Sequence, residues 1–121
     1  MIEEGEHRRW FDHAVRDPNR LLLLGTDSDK KVGMVRFERS RPEQWEVSIV
    51  VAPELRGRKL SFELLGKAVQ YFFSLHPEAS LLAEIKRYNT ASHQLFSSSG
   101  FVREPDDCEL VRYTFVQKVN K

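Results

Sequence analysis

At 121 residues the chain has room for one domain, with a core large enough to stand without a disulfide or a structural metal. Nineteen Lys and Arg balance eighteen Asp and Glu, which removes the electrostatic basis of non-specific nucleic-acid binding, and the one cysteine, Cys108, excludes an internal disulfide and a zinc cluster. No apolar run approaches the ~20 residues of a membrane span, and the acidic opening, residues 1–6, lacks the order of a secretory leader, so the expectation is a cytoplasmic chain with neither nucleic acid nor membrane as partner.

Hydrophobic period organises the rest. Residues 6–17 carry Trp10, Phe11, Ala14 and Val15 on one helical stripe, and Pro18-Asn19 would stop it, so the first element is expected to be a helix. Leu21-Leu22-Leu23-Leu24, bounded by turn residues, reads as a buried strand. Residues 32–39 read as its return after the turn at Asp27-Ser28-Asp29-Lys30. Trp45, Val47, Ile49 and Val51 alternate with Glu46, Ser48, Val50 and Ala52, a third strand with one apolar face. The alternation weakens at Val50, which predicts cover on both faces there.

Pro53 to Gly57 break that strand. Leu60, Leu64, Leu65, Ala68, Val69, Phe72 and Phe73 then repeat at three- and four-residue steps, a long amphipathic helix closed by His76-Pro77. Residues 81–86 read as a strand, so strand, helix and strand form a right-handed parallel crossover. A short helix over 91–99 ends at Gly100, a residue suited to the left-handed cap, and two last strands, 101–103 and 111–115, are expected to pair antiparallel. The fold class that follows is α/β: a mixed, mostly antiparallel sheet with a central parallel β-α-β crossover and helices on its faces.

Two stretches carry chemistry. Arg56-Gly57-Arg58-Lys59-Leu60-Ser61 puts cations and a flexible glycine at a helix start, where free N–H groups and the helix dipole suit phosphate. Read alone, it is more readily a solvated loop with ordinary surface arginines. Asn89-Thr90-Ala91-Ser92 starts the second helix, with Leu95-Phe96 inside it and Gly100-Phe101 at its end. Asn89 alone reads as a helix cap.

Together, at this spacing, the two stretches resemble the GNAT family of acyl-CoA-dependent N-acetyltransferases. Its pyrophosphate loop reads R/Q-x-x-G-x-G/A, and its later motif N-x-x-S/A-x-x-L-Y-x-x-x-G-F. Lys59 and Ser61 stand where that loop has its glycines, and Phe96 stands where the motif has its tyrosine. The resemblance runs from about residue 6 to the C-terminus. It implies an acyl-CoA N-acyltransferase-like single domain over residues 1–121, N-terminally short, with the family's first strand and helix absent.

The same resemblance implies acetyl transfer from acetyl-CoA to a primary amine. Arg56, Gly57, Arg58, Lys59, Leu60 and Ser61 would hold the phosphates. A backbone N–H near Val50 or Val51 would meet the thioester oxygen, and Asn89, Ser92 and Phe96 would complete the cofactor site. Glu46 would be the base, directly or through water. A narrower likeness, in Glu6-His7-Arg8-Arg9-Trp10-Phe11 and Asp17-Pro18-Asn19, is to GNAT domains acting on nucleotide-linked amino sugars. The alternative is a CoA-binding or partner-binding module with little or no catalysis, and it draws on Phe96 and the replaced glycines. With the first strand absent, residues 21–24 should lie at or near a sheet edge, covered by the helix around Trp10 or by a second chain in a homodimer.

The remaining candidates read plainly. His7, His13, His76 and His93 share no ligand spacing, so no metal is expected. Cys108 has no local base. Trp10 and Trp45 read as core or pocket wall.

Overall fold

The computed structural model describes residues 11–27, 30–53, 60–104 and 109–116. Seven strands and two helices run β1 (Phe11–Asp17), β2 (Arg20–Asp27), β3 (Lys30–Arg41), β4 (Gln44–Val51), α1 (Leu60–Leu75), β5 (Ser80–Lys86), α2 (Thr90–Ser98), β6 (Val102–Arg103) and β7 (Leu110–Val116). They form one sheet in the order β1-β2-β3-β4-β5-β7-β6. Every neighbouring pair is antiparallel except β4–β5. The mixed sheet with one parallel crossover is therefore the expected one.

The N-terminal expectation is corrected. Residues 11–17 form strand β1, not the end of a helix, and β1 pairs with β2 from Phe11↔Gly25 to Asp17↔Arg20. The physical reason lies in Asp17-Pro18-Asn19. The Asn19 N–H donates to Asp17 Oδ1 (2.8 Å), closing a tight turn between the strands. The residues that would stop a helix turn a hairpin equally well. Phe11, His13 and Val15 also satisfy a period of two, so the stripe was ambiguous. Residues 21–24 lie near the sheet edge, as expected, one strand in from it, because β2 is bonded to β1 on one side and β3 on the other; what is corrected is the cover. The backbone of β1 supplies the cover expected of a helix or a second chain, and β1 itself is the edge.

Both helices lie on one face, where they touch each other, rather than on the two faces expected. α1 buries Leu64, Leu65, Ala68, Val69, Phe72 and Phe73 against the sheet. The inward residues of β4, β5 and β7 include Trp45, Val47, Leu81, Ala83, Val111 and Tyr113, each no more than 2% exposed. On the other face Arg36, Glu46, Ser48 and Arg112 are exposed. Val50 is 56% exposed, so the cover expected on both of its sides is corrected too: weakened alternation there marks an open face, not a buried one.

α2 ends in a glycine stop. Gly100 has φ +96° and its N–H donates to Ser97 O (3.3 Å), while the Phe101 N–H reaches back to Phe96 O (3.1 Å). The Phe96 and Phe101 rings meet edge to face at 4.9 Å, the apolar contact that accompanies this stop.

Candidate functional site

β4 and β5 pair over only three rungs, Gln44↔Ser80, Trp45↔Leu81 and Glu46↔Leu82, although both strands continue. Beyond Glu46 and Leu82 they part and leave a slot, as the family likeness, and not the crossover alone, implies. The direction of the slot's backbone groups follows from two hydrogen bonds. Ser80 N–H donates to Glu43 O (2.8 Å), so residue 43 faces β5, whereas Ala52 N–H donates to Val32 O (2.8 Å), so residue 52 faces β3. Strand alternation then turns the backbone groups of odd residues toward β5 and of even residues toward β3. Ile49 therefore presents its N–H and C=O to the slot, and Val51 turns the same way. Val50 turns its own amide to β3 opposite Met34 and offers the open face its side chain.

Glu46 stands at the apex of the divergence, exposed on the open face. Its cross-strand neighbour on β3 is Glu38, which is paired with Arg20 at 3.5 Å. Ser48, also exposed, is the next residue on that face toward the mouth. Across the slot Glu84 of β5 holds Arg112 of β7 at 3.3 Å. Glu84 was not singled out from the sequence; its place emerges only once β5 is set beside β4.

Arg56, Gly57, Arg58 and Lys59 lie outside the described residues, as do Trp10 and Cys108. Leu60 and Ser61, partly buried, begin α1. Asn89 is a cap: its side-chain oxygen accepts from Ser92 N–H (3.2 Å). Phe96 is 3% exposed and packs between Phe101 and Tyr113.

His93, noted in the sequence only for sharing no ligand spacing with the other histidines, is bonded through both ring nitrogens. Nε2 lies 3.0 Å from Lys86 O and from Arg87 O, so it carries the proton, and Nδ1 accepts from the Tyr113 hydroxyl at 2.8 Å. This ties α2 to the end of β5 and gives the buried Tyr113 its polar partner. A groove of about 250 Å³ lined by Gly66, Val69, Gln70, Phe73, Ser99 and Phe115 opens beside α1, and none of the cofactor or catalytic residues expected from the sequence lines it. Among the described residues no group of His, Cys, Asp or Glu could hold a metal, and no helix is long and apolar enough to cross a membrane.

A model of the acetyltransferase (GNAT) family matches residues 2–101. Solved structures with the same fold include the N-acetyltransferase PseH of Campylobacter jejuni, alone and in complex with acetyl coenzyme A. Each is 18% identical with a TM-score of 0.74, covering 84% of this chain and 71% of that one. Another is a mutant of the spermidine N-acetyltransferase SpeG of Vibrio cholerae, 19% identical with a TM-score of 0.75, covering 84% of this chain and 68% of that one. No curated protein matches by sequence.

Proposed function

Because the chain belongs to the GNAT acetyltransferase family, we propose that it moves an acetyl group from acetyl-CoA to a primary amine. One observation carries the reading: β4 and β5 separate after three rungs and leave a slot edged by the Ile49 backbone. Acetyl-CoA supplies an activated acyl thioester, and the residues of this chain bind and orient it. An extended arm with amide groups can lie along an unpaired strand edge as an added strand. Ile49 offers a donor and an acceptor for it. A backbone N–H aimed at the thioester oxygen stabilises the charge that develops there when the amine attacks. We assign that donor to Ile49, with Val51 next along the same edge and Val50 as wall.

The phosphates are assigned to Arg56, Gly57, Arg58, Lys59, Leu60 and Ser61, where the first N–H groups of α1 lack helical acceptors. Asn89 and Ser92 bound the α2 side, with Phe96 behind them. Glu46 receives the proton that the amine must lose. Ile49 lies three steps along the strand from Glu46, about 10 Å at ~3.3 Å per residue. That is too far for direct transfer, so the proton travels through water or the Ser48 hydroxyl. The departing thiolate takes its proton from water, because Phe96 has none to give. Among amines, a nucleotide-linked amino sugar is favoured by the likeness in residues 6–11 and 17–19.

A binding module without turnover is the second reading, and the burial of Phe96 favours it, since the family's tyrosine position here faces a packed interior. Two measurements separate the readings. Acetyl-CoA at one hundred times its Kd should stabilise the fold by roughly 2.7 kcal/mol and raise Tm. An amine panel spanning amino-sugar nucleotides and polyamines should then release free CoA thiol with at least one member. A Tm rise without thiol release moves the conclusion to the binding module, and no Tm rise overturns both.

A further inference from the structure

We infer that Gly33 is a positioning residue for the slot: a hydrogen in place of a side chain lets the end of β4 lean onto β3 and so part from β5. The inference rests on the reading of the slot as the acetyl-CoA site. Gly33 lies on β3 directly opposite Val51. A Cβ built there would overlap the Val50 carbonyl oxygen, approach Val51 Cα to 3.0 Å and approach Leu64 Cδ2 to 3.1 Å. Two of these three atoms are β4 backbone, at the residues where β4 has already left β5.

A side-chain tip can swing aside, but strand backbone can only move with its strand. A methyl at Gly33 would push Val50 and Val51 off β3, and the space open to them is the slot. Glycine is needed for room rather than for conformation, because Gly100 alone among the described glycines has positive φ. The surrounding geometry agrees. The β2–β3 register slips between Gly25 and Thr26, leaving Val32 as an extra residue beside Gly33. Bulges of this kind bend a strand. Val32 O then accepts Ala52 N–H at 2.8 Å, which pins the end of β4 to β3.

The test compares Gly33→Ala with Leu21→Ala, a truncation of a buried β2 residue remote from the slot. Tm and acetyl-CoA affinity by titration calorimetry are measured well below each Tm. Both variants are also made in a Gly66→Ala background, whose open surroundings should stabilise the fold. Gly33→Ala should weaken acetyl-CoA binding by about tenfold or more, while Leu21→Ala, with a comparable fall in Tm, keeps the wild-type Kd. Adding Leu64→Ala to Gly33→Ala makes room on the helix side only, and should recover no affinity. Recovery in that double variant would place the effect in helix packing and overturn the inference, as would unchanged affinity in Gly33→Ala itself. A wild-type chain without affinity for acetyl-CoA would overturn the reading of the slot, and this inference with it.

Discussion

The two ends of β4 are built on opposite terms. At the end paired with β5, Trp45 is 1% exposed and meets Phe72 edge-on at 5.3 Å, and Phe72 stacks on Phe37 at 4.7 Å. Arg39 lies over the Trp45 ring at 5.7 Å and is itself held by Pro42 O (2.7 Å) and Pro18 O (3.3 Å). At the other end the ladder to β5 has stopped, Val50 is 56% exposed, and the residue facing Val51 from β3 is a glycine. One strand thus carries stability where it is bonded to β5 and, in the proposed function, a binding edge where that ladder has stopped. The large rings anchor the closed end, so the ladder to β5 can stop short without unravelling the sheet.

The strongest challenge to that division is Phe72→Ala. The ring is fully buried and touches Phe37, Trp45, Phe73 and His76. Its removal should cost about 3–5 kcal/mol, the range for deleting a core aromatic, read as a fall in urea midpoint. Acetyl-CoA affinity of the folded fraction should stay near wild type. A loss of only about 1 kcal/mol, ordinary for any substitution, would mean that the closed end is not the anchor.

Phe96→Tyr asks whether the open end extends to α2. The motif likeness places a tyrosine here, yet the ring is 3% exposed against Phe101 and Tyr113. A hydroxyl added at that depth without a partner costs roughly 1–3 kcal/mol. The expected result is a lower Tm and no gain in turnover in a thiol-release assay. Faster turnover at unchanged Tm would show that the ring edge reaches the slot and that α2 belongs to the binding edge.

Phe96 also marks how far the sequence could be read. The stripe from Leu64 to Phe73, the β4 alternation and the glycine stop of α2 were legible because period and cap chemistry are local. The divergence of β4 from β5 was legible only through the family likeness, since no local pattern encodes where two strands part. The β1 hairpin was misread because Asp17-Pro18-Asn19 ends a helix or turns a hairpin with the same residues. Glu84, Gly33 and the His93–Tyr113 bond were out of reach. Each depends on a partner far along the chain: Arg112, Val51, or a tyrosine twenty residues away.

Gly66→Ala turns the same chemical change as Gly33→Ala to the opposite sign. Gly66 sits inside α1 with nothing within 4 Å of a built Cβ. Replacing a helical glycine by alanine removes backbone freedom from the unfolded chain and is worth about 0.5–1 kcal/mol. Tm should rise modestly with acetyl-CoA affinity unchanged. A fall in Tm would mean that the surface beside α1 is not open, and would weaken the contrast between a glycine required by contact and one that is not.

The smallest effect expected is a pH dependence at the closed end. The His76 ring lies 4.6 Å from Trp45 and 5.1 Å from Phe72. Burial, and then the Arg39 guanidinium nearby, push its pKa below the ordinary value of 6.5. The folded chain therefore binds this proton less tightly than the unfolded chain does. Stability is fully present above 6.5 and is lost as pH falls through the lowered folded value, below which the loss levels off. His76→Phe keeps a ring against Trp45 and removes the titration. Urea midpoints of the two proteins, compared at pH 7.5 and at successive steps down to about 5, isolate the difference, because every other titrating group is common to both. The wild type should lose more stability than His76→Phe over that window. Parallel curves would mean that the imidazolium is tolerated between the rings, and that the closed end is less dry than its packing implies.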